Sequence, residues 1–248
     1  MNPFVSRPPT SWFSRSHKHM PLWAGALVVG AVYLSTCAAA VEKPVSIPEP
    51  SQDVLVQWPL GGRAEQSIVF AGGCFWGIQA VFQHTQGVLN AVSGYAGGKS
   101  TEADYDQVSA GGTGHAEAVQ INFDPKQISY GQLLQIYFSV AHDPTQLNRQ
   151  YPDSGTQYRS AVFYQEAGQK TVTERYIAQL DAAKVFPGKI VTQLSPLQGF
   201  YPAEKHHQNY ATLHPDSSYI ARFDLPKIAS LKAMMPTLYR EQALLVKP

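Results

Sequence analysis

The sequence predicts one α+β domain with a single mixed or antiparallel sheet and helices on one side of it. The main observation is the order of the periodic segments, which is strand, helix, strand, strand, helix, strand. This order is the split βαβ pattern. About 180 residues remain once the N-terminal segment is set aside, and a chain of that length can bury one core.

The first half of the domain alternates strands with helices. Residues 67–71 form a short β-prone run that ends at two glycines, and apolar residues then recur at helical spacing, so a helix begins close to Cys74. The other predicted elements of this half, in chain order, are a strand over 88–95, a loop over 97–114, a strand over 115–123 and a helix that Ser129 caps.

The second half begins with a long polar loop. Its predicted elements, in chain order, are a loop over 142–157, a strand over 158–164, a helix over 166–183, a strand over 189–194 and a short helix over 203–210. No repeat or low-complexity tract is present.

Residues 1–41 predict export. The first 19 residues carry Arg7, Arg15 and Lys18 and no acid, and residues 20–41 contain no charged side chain. A basic start, an apolar run and three alanines before Glu42 are typical of a signal peptide cut near Ala40. Two alternatives remain open. The run of about 20 residues suffices for an uncleaved membrane anchor, and the LSTC segment resembles a lipoprotein box that would lipidate Cys37. We expect a periplasmic or secreted protein, with possible membrane anchorage through this segment.

Residues 42–66 are rich in proline and glycine and predict a tether, so the catalytic domain with its C-terminal extension would span residues 67–248. The formal net charge of +1 excludes the strongly basic surface that nucleic-acid binding needs. No metal-ligand spacing, P-loop or dinucleotide motif is present, so we expect no metal and no organic cofactor. We expect a monomer.

Cys74 is the first candidate for chemistry. It follows Gly72 and Gly73 at a predicted helix N-terminus, where unpaired N–H groups favour a thiolate. The only other cysteine, Cys37, lies in the export segment, so an exported domain would keep one free thiol. The alternative is a buried structural cysteine, but glycines at a strand-to-helix turn are not typical of a core position.

Glu117 is the second candidate. It shares one face of its predicted strand with Val119, Ile121 and Phe123, and a carboxyl on an apolar face has a raised pKa. A neutral carboxyl can donate a proton to a substrate oxygen. The alternative is a glutamate at a strand end that reaches solvent.

The other candidates are weaker on residue type alone. Phe75 and Trp76 either form an apolar wall beside Cys74 or pack into the core, and the core is the commoner place for aromatic residues. Four polar candidates lie in or beside loops, where they either bind substrate or cover the core: Tyr105, Asp153, Tyr158 and His207.

Several segments resemble, in the same order, the sequence blocks of the peptide methionine sulfoxide reductase A family. The most specific is AGGCFWG at 71–77. The other blocks are SGYAGG at 93–98, YDQV at 105–108, GTGHAE at 112–117, HDPT at 142–145, GTQYRS at 155–160 and a segment at 204–210 that ends in HQNY. The resemblance covers roughly residues 67–215. It implies a two-layer ferredoxin-like α/β sandwich with a mixed sheet and extra C-terminal helices and loops.

The resemblance also implies an activity, the reduction of protein-bound and free methionine S-sulfoxide as a repair of oxidised proteins. Cys74 would be the nucleophile, left as sulfenic acid, and Glu117 the acid that protonates the sulfoxide oxygen. Tyr105 and Tyr158 would hydrogen-bond that oxygen. The implied substrate-binding residues are Phe75, Trp76, Asp153 and His207.

Two departures from the family pattern concern this site. Tyr151-Pro152 precede Asp153 where the family often has Gly-Asn, so the sequence alone does not fix the position of Asp153. Family members commonly carry one or two resolving cysteines near the C-terminus, and this chain has none after Cys74. We therefore expect an external thiol reductant, thioredoxin-like, glutaredoxin-like or a small thiol, besides oxidised proteins or peptides as substrates.

Two other functions remain compatible with the residues. A thiol hydrolase would pair Cys74 with His115 or His207 as the base, whereas the reductase needs a Cys–Glu pair. A peptide-binding module would carry Cys74 only incidentally.

Overall fold

The computed structural model of the protein describes residues 43–51 and 65–247. The predicted export segment and Cys37 lie outside these residues. Within the described ranges, no helix has the length and apolar character needed to cross a membrane.

A six-stranded mixed sheet forms the centre of the domain. Its strands are β1 (Gln66–Ala71), β2 (Val88–Ala96), β3 (Ala116–Phe123), β6 (Ala161–Tyr164), β7 (Gln193–Pro196) and β8 (Phe200–Pro202); β4 (Arg149–Gln150) and β5 (Asp153–Ser154) form a separate two-stranded pair. The sheet order is β7-β6-β1-β3-β2-β8, and only the β6–β7 pair is parallel. The α+β prediction with a mixed sheet is confirmed.

Helices connect the strands in the predicted split pattern. They are α1 (Phe75–Gln83), α2 (Tyr105–Ala110), α3 (Tyr130–Ile136), α4 (Ala167–Ala183), α5 (Tyr210–Leu213) and α6 (Leu225–Met234). Helix α1 joins β1 to β2, which lie on either side of β3. Ser129 starts α3 with a capping box, in which its side chain accepts from the Gln132 N–H and the Gln132 side chain accepts in return. The Asp104 side chain caps α2.

The main core lies on one side of the sheet, between it and the helices. Alternation along β1 sends Ile68 and Phe70 into this core, while Val69 and Ala71 join a smaller cluster on the other face. On β3 the same alternation sends Val119, Ile121 and Phe123 into the main core. Glu117 therefore projects from the face that the helices cover.

Several predicted boundaries differ from the structure. The predicted loop 97–114 contains a 3-10 turn and helix α2, and the predicted loop 142–157 contains β4 and β5. The strand predicted over 158–164 begins at Ala161, after a 3-10 turn over Thr156–Tyr158. The strand predicted over 189–194 is β7, which is shifted towards the C-terminus because it pairs in parallel register with β6.

The prediction of a helix over 203–210 was wrong. The chain first forms β8, which pairs with the edge of β2, then a 3-10 turn over Lys205–His207, and only then α5. The Gln208 side chain explains the difference, because it donates to Ser93 O at 2.8 Å and to Ala203 O at 3.0 Å. These tertiary hydrogen bonds fix an extended backbone at Gln208 instead of a helical one.

Residues 43–51, within the predicted tether, pack against the domain, and Ile47 is buried in its main core. The Val45 N–H donates to Ser139 O at 2.9 Å, and the Tyr176 hydroxyl donates to Pro48 O at 2.7 Å. The Gln179 side chain on α4 makes two more hydrogen bonds to this segment. Its amide N–H donates to Glu49 O, and its amide oxygen accepts from the Ser51 N–H. The tether is thus hydrogen-bonded to the domain along these residues.

Candidate active site

Cys74 lies at the N-cap of α1, directly after the turn that ends β1. Gly73 has a φ of 95°, and a Cβ there would lie 2.6 Å from Cγ of Gln150. A Cβ at Gly72 would lie 2.8 Å from Cγ of His142. The glycines before Cys74 are therefore required by backbone conformation and by packing. Cys74 as a whole residue is partly exposed at the end of this turn.

Glu117 lies beside this turn, on β3. Its side chain is 2% exposed, and its Oε2 accepts the Phe75 N–H at 3.0 Å. Burial, together with the neighbouring carboxylate of Asp153, raises the pKa of Glu117 to about 8 against the opposing effect of the Phe75 N–H. Glu117 is therefore largely protonated at neutral pH and can donate a proton.

The pKa of Cys74 is raised rather than lowered. Burial is the largest cause, followed by the carboxyl groups of Glu117 and Asp224, and together they outweigh the lowering effect of the Trp76 N–H. The expectation that the helix N-terminus alone would favour a thiolate was therefore wrong, because one N–H cannot offset burial among carboxyl groups. The resting residue is a thiol.

Two tyrosines face the same acid. Tyr105 is the first residue of α2, and its N–H donates to Oε1 of Glu204 at 3.0 Å. Tyr158 ends the 3-10 turn that precedes β6. Burial raises the pKa of both hydroxyls, and the charges of Glu117 and Cys74 raise both pKa values further. Both hydroxyls are thus neutral donors at physiological pH.

The two aromatic residues after Cys74 differ in exposure. Phe75 is fully buried, with its ring centroid 5.9 Å from that of Tyr95. Trp76 is partly exposed, and its indole stacks on the Tyr210 ring at 3.9 Å with the Tyr219 ring edge-on at 6.0 Å. Trp76, two residues after Cys74 in the chain, forms a partly exposed aromatic cluster with these two tyrosines.

Asp153 is part of the cluster despite the Tyr151-Pro152 departure. It lies on β5, and its Oδ2 accepts a short hydrogen bond from the Tyr219 hydroxyl. Burial raises the pKa of Asp153, and its carboxylate in turn raises the pKa values of Cys74 and Glu117.

His207 is 4% exposed, and neither of its ring nitrogens has a hydrogen-bond partner within the described ranges. Its ring lies 4.4 Å from the Tyr105 ring and 5.3 Å from the Phe75 ring. Burial lowers the pKa of His207, so the imidazole is neutral at physiological pH. His207 is therefore a buried, neutral side chain that packs against the rings of Phe75 and Tyr105.

The other candidate base, His115, is engaged elsewhere. Its Nε2 lies 2.9 Å from Lys99 O, and its Nδ1 accepts the Gly98 N–H at 3.2 Å. The pKa of Cys74 is raised mainly by burial and by neighbouring carboxyl groups, and no histidine is among the causes of its shift. This arrangement is a Cys–Glu pair and disfavours the Cys–His pair of a thiol hydrolase.

Sequence reasoning missed several residues of the site, because it assigned no element after residue 210. Tyr219 directly precedes a π-helical turn over Ile220–Asp224, Asp224 is the last residue of that turn, and Lys227 follows on α6. The i, i+3 spacing of an aspartate and a lysine around Pro226 was the available signal. Glu204, which binds the Tyr105 N–H and accepts from the Tyr95 hydroxyl, was also missed as an individual residue.

No group of three or more His, Cys, Asp or Glu side chains within the described ranges could hold a metal ion. The groups that interact with Cys74 and Glu117 are carboxyls and phenols.

Comparisons with known proteins give one consistent result. The family model described as peptide methionine sulfoxide reductase matches residues 66–236. Peptide methionine sulfoxide reductase MsrA 2 of Mesorhizobium japonicum is 56% identical over 181 residues, which cover 73% of this chain and 93% of that protein. The protein of the same name from Synechocystis is 42% identical over 207 residues, covering 84% and 94%.

Solved structures agree with the sequence comparisons. Methionine sulfoxide reductase A of Corynebacterium diphtheriae is 31% identical with a TM-score of 0.53, covering 71% of this chain and 86% of that one. The reduced form of Mxr1 from Saccharomyces cerevisiae is 31% identical with a TM-score of 0.56, covering 62% and 88%.

Proposed function

The chain belongs to the peptide methionine sulfoxide reductase family, and from that premise we propose that Cys74 and Glu117 are the pair that reduces methionine S-sulfoxide. The enzyme is an oxidoreductase that acts on oxidised methionine. The observation that carries the assignment of these two residues is the burial of Glu117 beside the Cys74 turn, with a pKa of about 8. A carboxyl that stays protonated at neutral pH, next to a thiol, is suited to oxygen transfer with a proton.

The first step oxidises Cys74 and reduces the substrate by two electrons. The Cys74 thiol loses its proton as its sulfur attacks the sulfoxide sulfur, while Glu117 gives its own proton to the sulfoxide oxygen. The S=O bond of the substrate breaks, an S–O bond to Cys74 forms, and methionine leaves. Cys74 becomes a sulfenic acid, and Glu117 takes up the proton that the thiol lost, so the pair is neutral before and after the step.

The tyrosines stabilise the oxygen as it gains charge. Tyr105 and Tyr158 remain neutral at physiological pH, so each hydroxyl can donate a hydrogen bond to that oxygen. Their electrostatic coupling to both Glu117 and Cys74 supports this role, because the oxygen has to lie between the thiol and the acid.

The methyl group of the substrate needs an apolar surface near Cys74. We assign this surface to Trp76, which is partly exposed and is held by its stack on Tyr210. Phe75 supports it from the core, and Asp153, through its hydrogen bond with Tyr219, fixes the other edge of the surface.

Recycling requires a thiol from another molecule. Cys74 is the sole cysteine in the described residues, and no cysteine follows it in the sequence. A first thiol attacks the sulfenic acid, forming a mixed disulfide and water, and a second thiol releases Cys74 as a thiol with a disulfide product. The reductant is thus a thioredoxin-like protein, a glutaredoxin-like protein or a small thiol.

We further propose that the enzyme works outside the cytoplasm. The support is the basic, apolar and alanine-rich order of residues 1–41, which is typical of an export signal. A reporter fused after Val41 is expected in the periplasm or at the membrane, and fractionation with mass measurement separates cleaved from anchored protein. A full-length cytoplasmic product would contradict this proposal.

The reductase assignment is tested by a single turnover. Enzyme mixed with an excess of methionine S-sulfoxide and no reductant is expected to form about one methionine per chain, whereas Cys74→Ser forms none. Conservative removal of both candidate bases of a thiol hydrolase, His115→Gln and His207→Gln, is expected to leave methionine formation detectable. Methionine formation by Cys74→Ser would overturn the assignment, and a binding module would form no methionine at all.

A further inference from the structure

Asp224 is a buried carboxylate that the reaction described above does not use. Its side chain is 0% exposed, at the end of the π-helical turn that leads into α6. Neither of its oxygens has a hydrogen-bond donor within the described ranges. The Lys227 ammonium, itself mostly buried, lies 3.7 Å from Oδ1 at ion-pair distance. A fully buried carboxylate is costly unless an opposite charge lies beside it, and here the Lys227 ammonium supplies that charge.

The carboxylate is packed against the first turn of the helix that carries Cys74. A Cβ at Gly77 would overlap Oδ1 of Asp224 and come within 3.2 Å of Nζ of Lys227. The absence of a side chain at Gly77 is therefore what lets the ion pair approach α1. Gly77 ends the AGGCFWG segment, so the motif that presents the thiol also makes room for a charge beside it.

We propose that Asp224, lodged in the space that Gly77 leaves in the first turn of α1 and paired with Lys227, is a positioning residue that keeps Cys74 a thiol and Glu117 a neutral carboxyl in the resting enzyme. This inference rests on the proposed function for the identity of that pair. It concerns the protonation of Cys74 before substrate binds, not the bond-making steps.

The physical basis is the sign of the charges. Lys227 keeps Asp224 ionised, since burial raises the pKa of Asp224 only to about 6 while the ammonium opposes that rise. The negative charge then opposes a second negative charge at Cys74 or Glu117, and it raises the pKa of both. A thiol kept protonated is a poor nucleophile, so Cys74 is protected from unspecific oxidation or alkylation at rest.

Several other titratable groups lie around the Asp224–Lys227 ion pair. Asp153 on β5 acts in the same sense as Asp224, because it raises the pKa values of Asp224, Cys74 and Glu117. Tyr219, which precedes the π-helical turn, stays neutral, since burial and the charges of this cluster raise its pKa. Behind Lys227, a cavity of about 190 Å³ is lined by the titratable groups Lys43, His142 and Asp143. Burial lowers the pKa of His142 to about 4, so it carries no charge near neutral pH.

The test measures the ionisation of Cys74 without any sulfoxide. The rate at which iodoacetamide alkylates Cys74 is followed against pH by mass spectrometry of the Cys74 peptide, which separates it from Cys37. Asp224→Asn removes the negative charge and leaves the Lys227 charge, so the alkylation midpoint is expected to move down by about one pH unit. Below the midpoint this shift corresponds to an increase of about tenfold in rate.

Two further variants separate charge from packing. Asp224→Asn combined with Lys227→Met removes both charges, and its midpoint is expected to lie between those of the wild type and the single variant. Lys232→Met is the matched control, because Lys232 on the same helix pairs with Glu241 at 2.7 Å in an exposed position. Its alkylation profile is expected to match that of the wild type. If the single variant does not fold, the double variant, which has no unpaired charge, is compared alone and is still expected to shift downward.

The reductase reaction supplies the second readout. The pH profile of kcat/KM for methionine S-sulfoxide is expected to move to lower pH in Asp224→Asn, in parallel with the alkylation profile. An alkylation profile of Asp224→Asn that superimposes on the wild type would overturn the inference while leaving reductase activity intact. Absence of methionine formation by the wild type would instead overturn the proposed function, whatever the alkylation profile shows.

Discussion

The backbone N–H of Phe75 donates a 3.0 Å hydrogen bond to Oε2 of Glu117. This bond links the first residue of α1 to β3, and it satisfies one of the N–H groups that a helix N-terminus leaves unpaired. The Cys74 side chain makes no such capping bond to its own helix. The proposed acid, Glu117, thus also caps the helix that carries Cys74, so one contact holds the two groups that we propose to react.

The first prediction concerns Glu117 as the acid. Glu117→Gln keeps an acceptor for the Phe75 N–H and a donor for the substrate oxygen, so it is expected to retain part of kcat/KM. Glu117→Ala and Glu117→Asp are expected to lose on the order of 10²-fold or more, because the proton donor is absent or misplaced. Gln120→Ala, a partly exposed position on the same strand, is the control. Unchanged turnover in Glu117→Ala would remove Glu117 from the mechanism.

The second prediction concerns stability against pH. Glu117 has an unperturbed pKa of 4.5 and a folded pKa of about 8, so the folded protein binds more protons than the unfolded chain between these values. Its contribution to stability is fully present below pH 4.5 and is lost as pH rises towards 8. Urea denaturation at pH 6.5 and 8 is expected to show a larger fall for the wild type than for Glu117→Gln. Equal falls would mean that Glu117 is ionised in the folded protein.

The choice of that pH window isolates Glu117 from other buried groups. Asp224, with a raised pKa of about 6, has completed most of its own titration above pH 6.5. His142, with a lowered pKa of about 4, affects stability mainly below its unperturbed value of 6.5. The unperturbed Cys74 pKa of 9.0 places its effect above the window.

The third prediction concerns the stereochemistry of the substrate. Membership of this family implies that only the S epimer of methionine sulfoxide is consumed, since each epimer has its own class of reductase. With racemic sulfoxide and dithiothreitol, about half of the substrate is expected to remain, and chiral chromatography should identify it as the R epimer. Consumption of both epimers would contradict the prediction.

The fourth prediction concerns recycling. After one turnover without reductant, the sulfenic acid on Cys74 has no second thiol among the described residues, so dimedone is expected to add about one label per chain. The steady-state rate should depend on the nature and concentration of the thiol, because both recycling steps are bimolecular. A Cys37–Cys74 disulfide in the oxidised, unlabelled protein would overturn the single-cysteine cycle.

The sequence by itself determined the fold class and pointed to Cys74 and Glu117 as the proposed reacting pair. The order of periodic segments defined the split βαβ unit, since alternation along 116–123 and helical spacing after Cys74 are local properties. The sequence also predicted which face of β3 carries Glu117, because side chains alternate along a strand and Glu117 therefore shares a face with Val119 and Ile121. The Ser129 cap was predicted for the same local reason, and the structure adds its capping box.

Only the tertiary structure decided the electrostatics around these residues. The sequence placed Cys74 at a helix N-terminus and therefore indicated a thiolate, whereas burial next to Glu117 and Asp224 raises its pKa. Glu117 precedes Asp224 by more than one hundred residues in the sequence, and no local pattern reports which side chains share a desolvated volume. The segment after Pro202 shows the same limit, because the hydrogen bonds of Gln208 to β2 and to Ala203 override the helical preference of its neighbours. Burial and long-range contacts set these properties, and both exist only once the chain has folded.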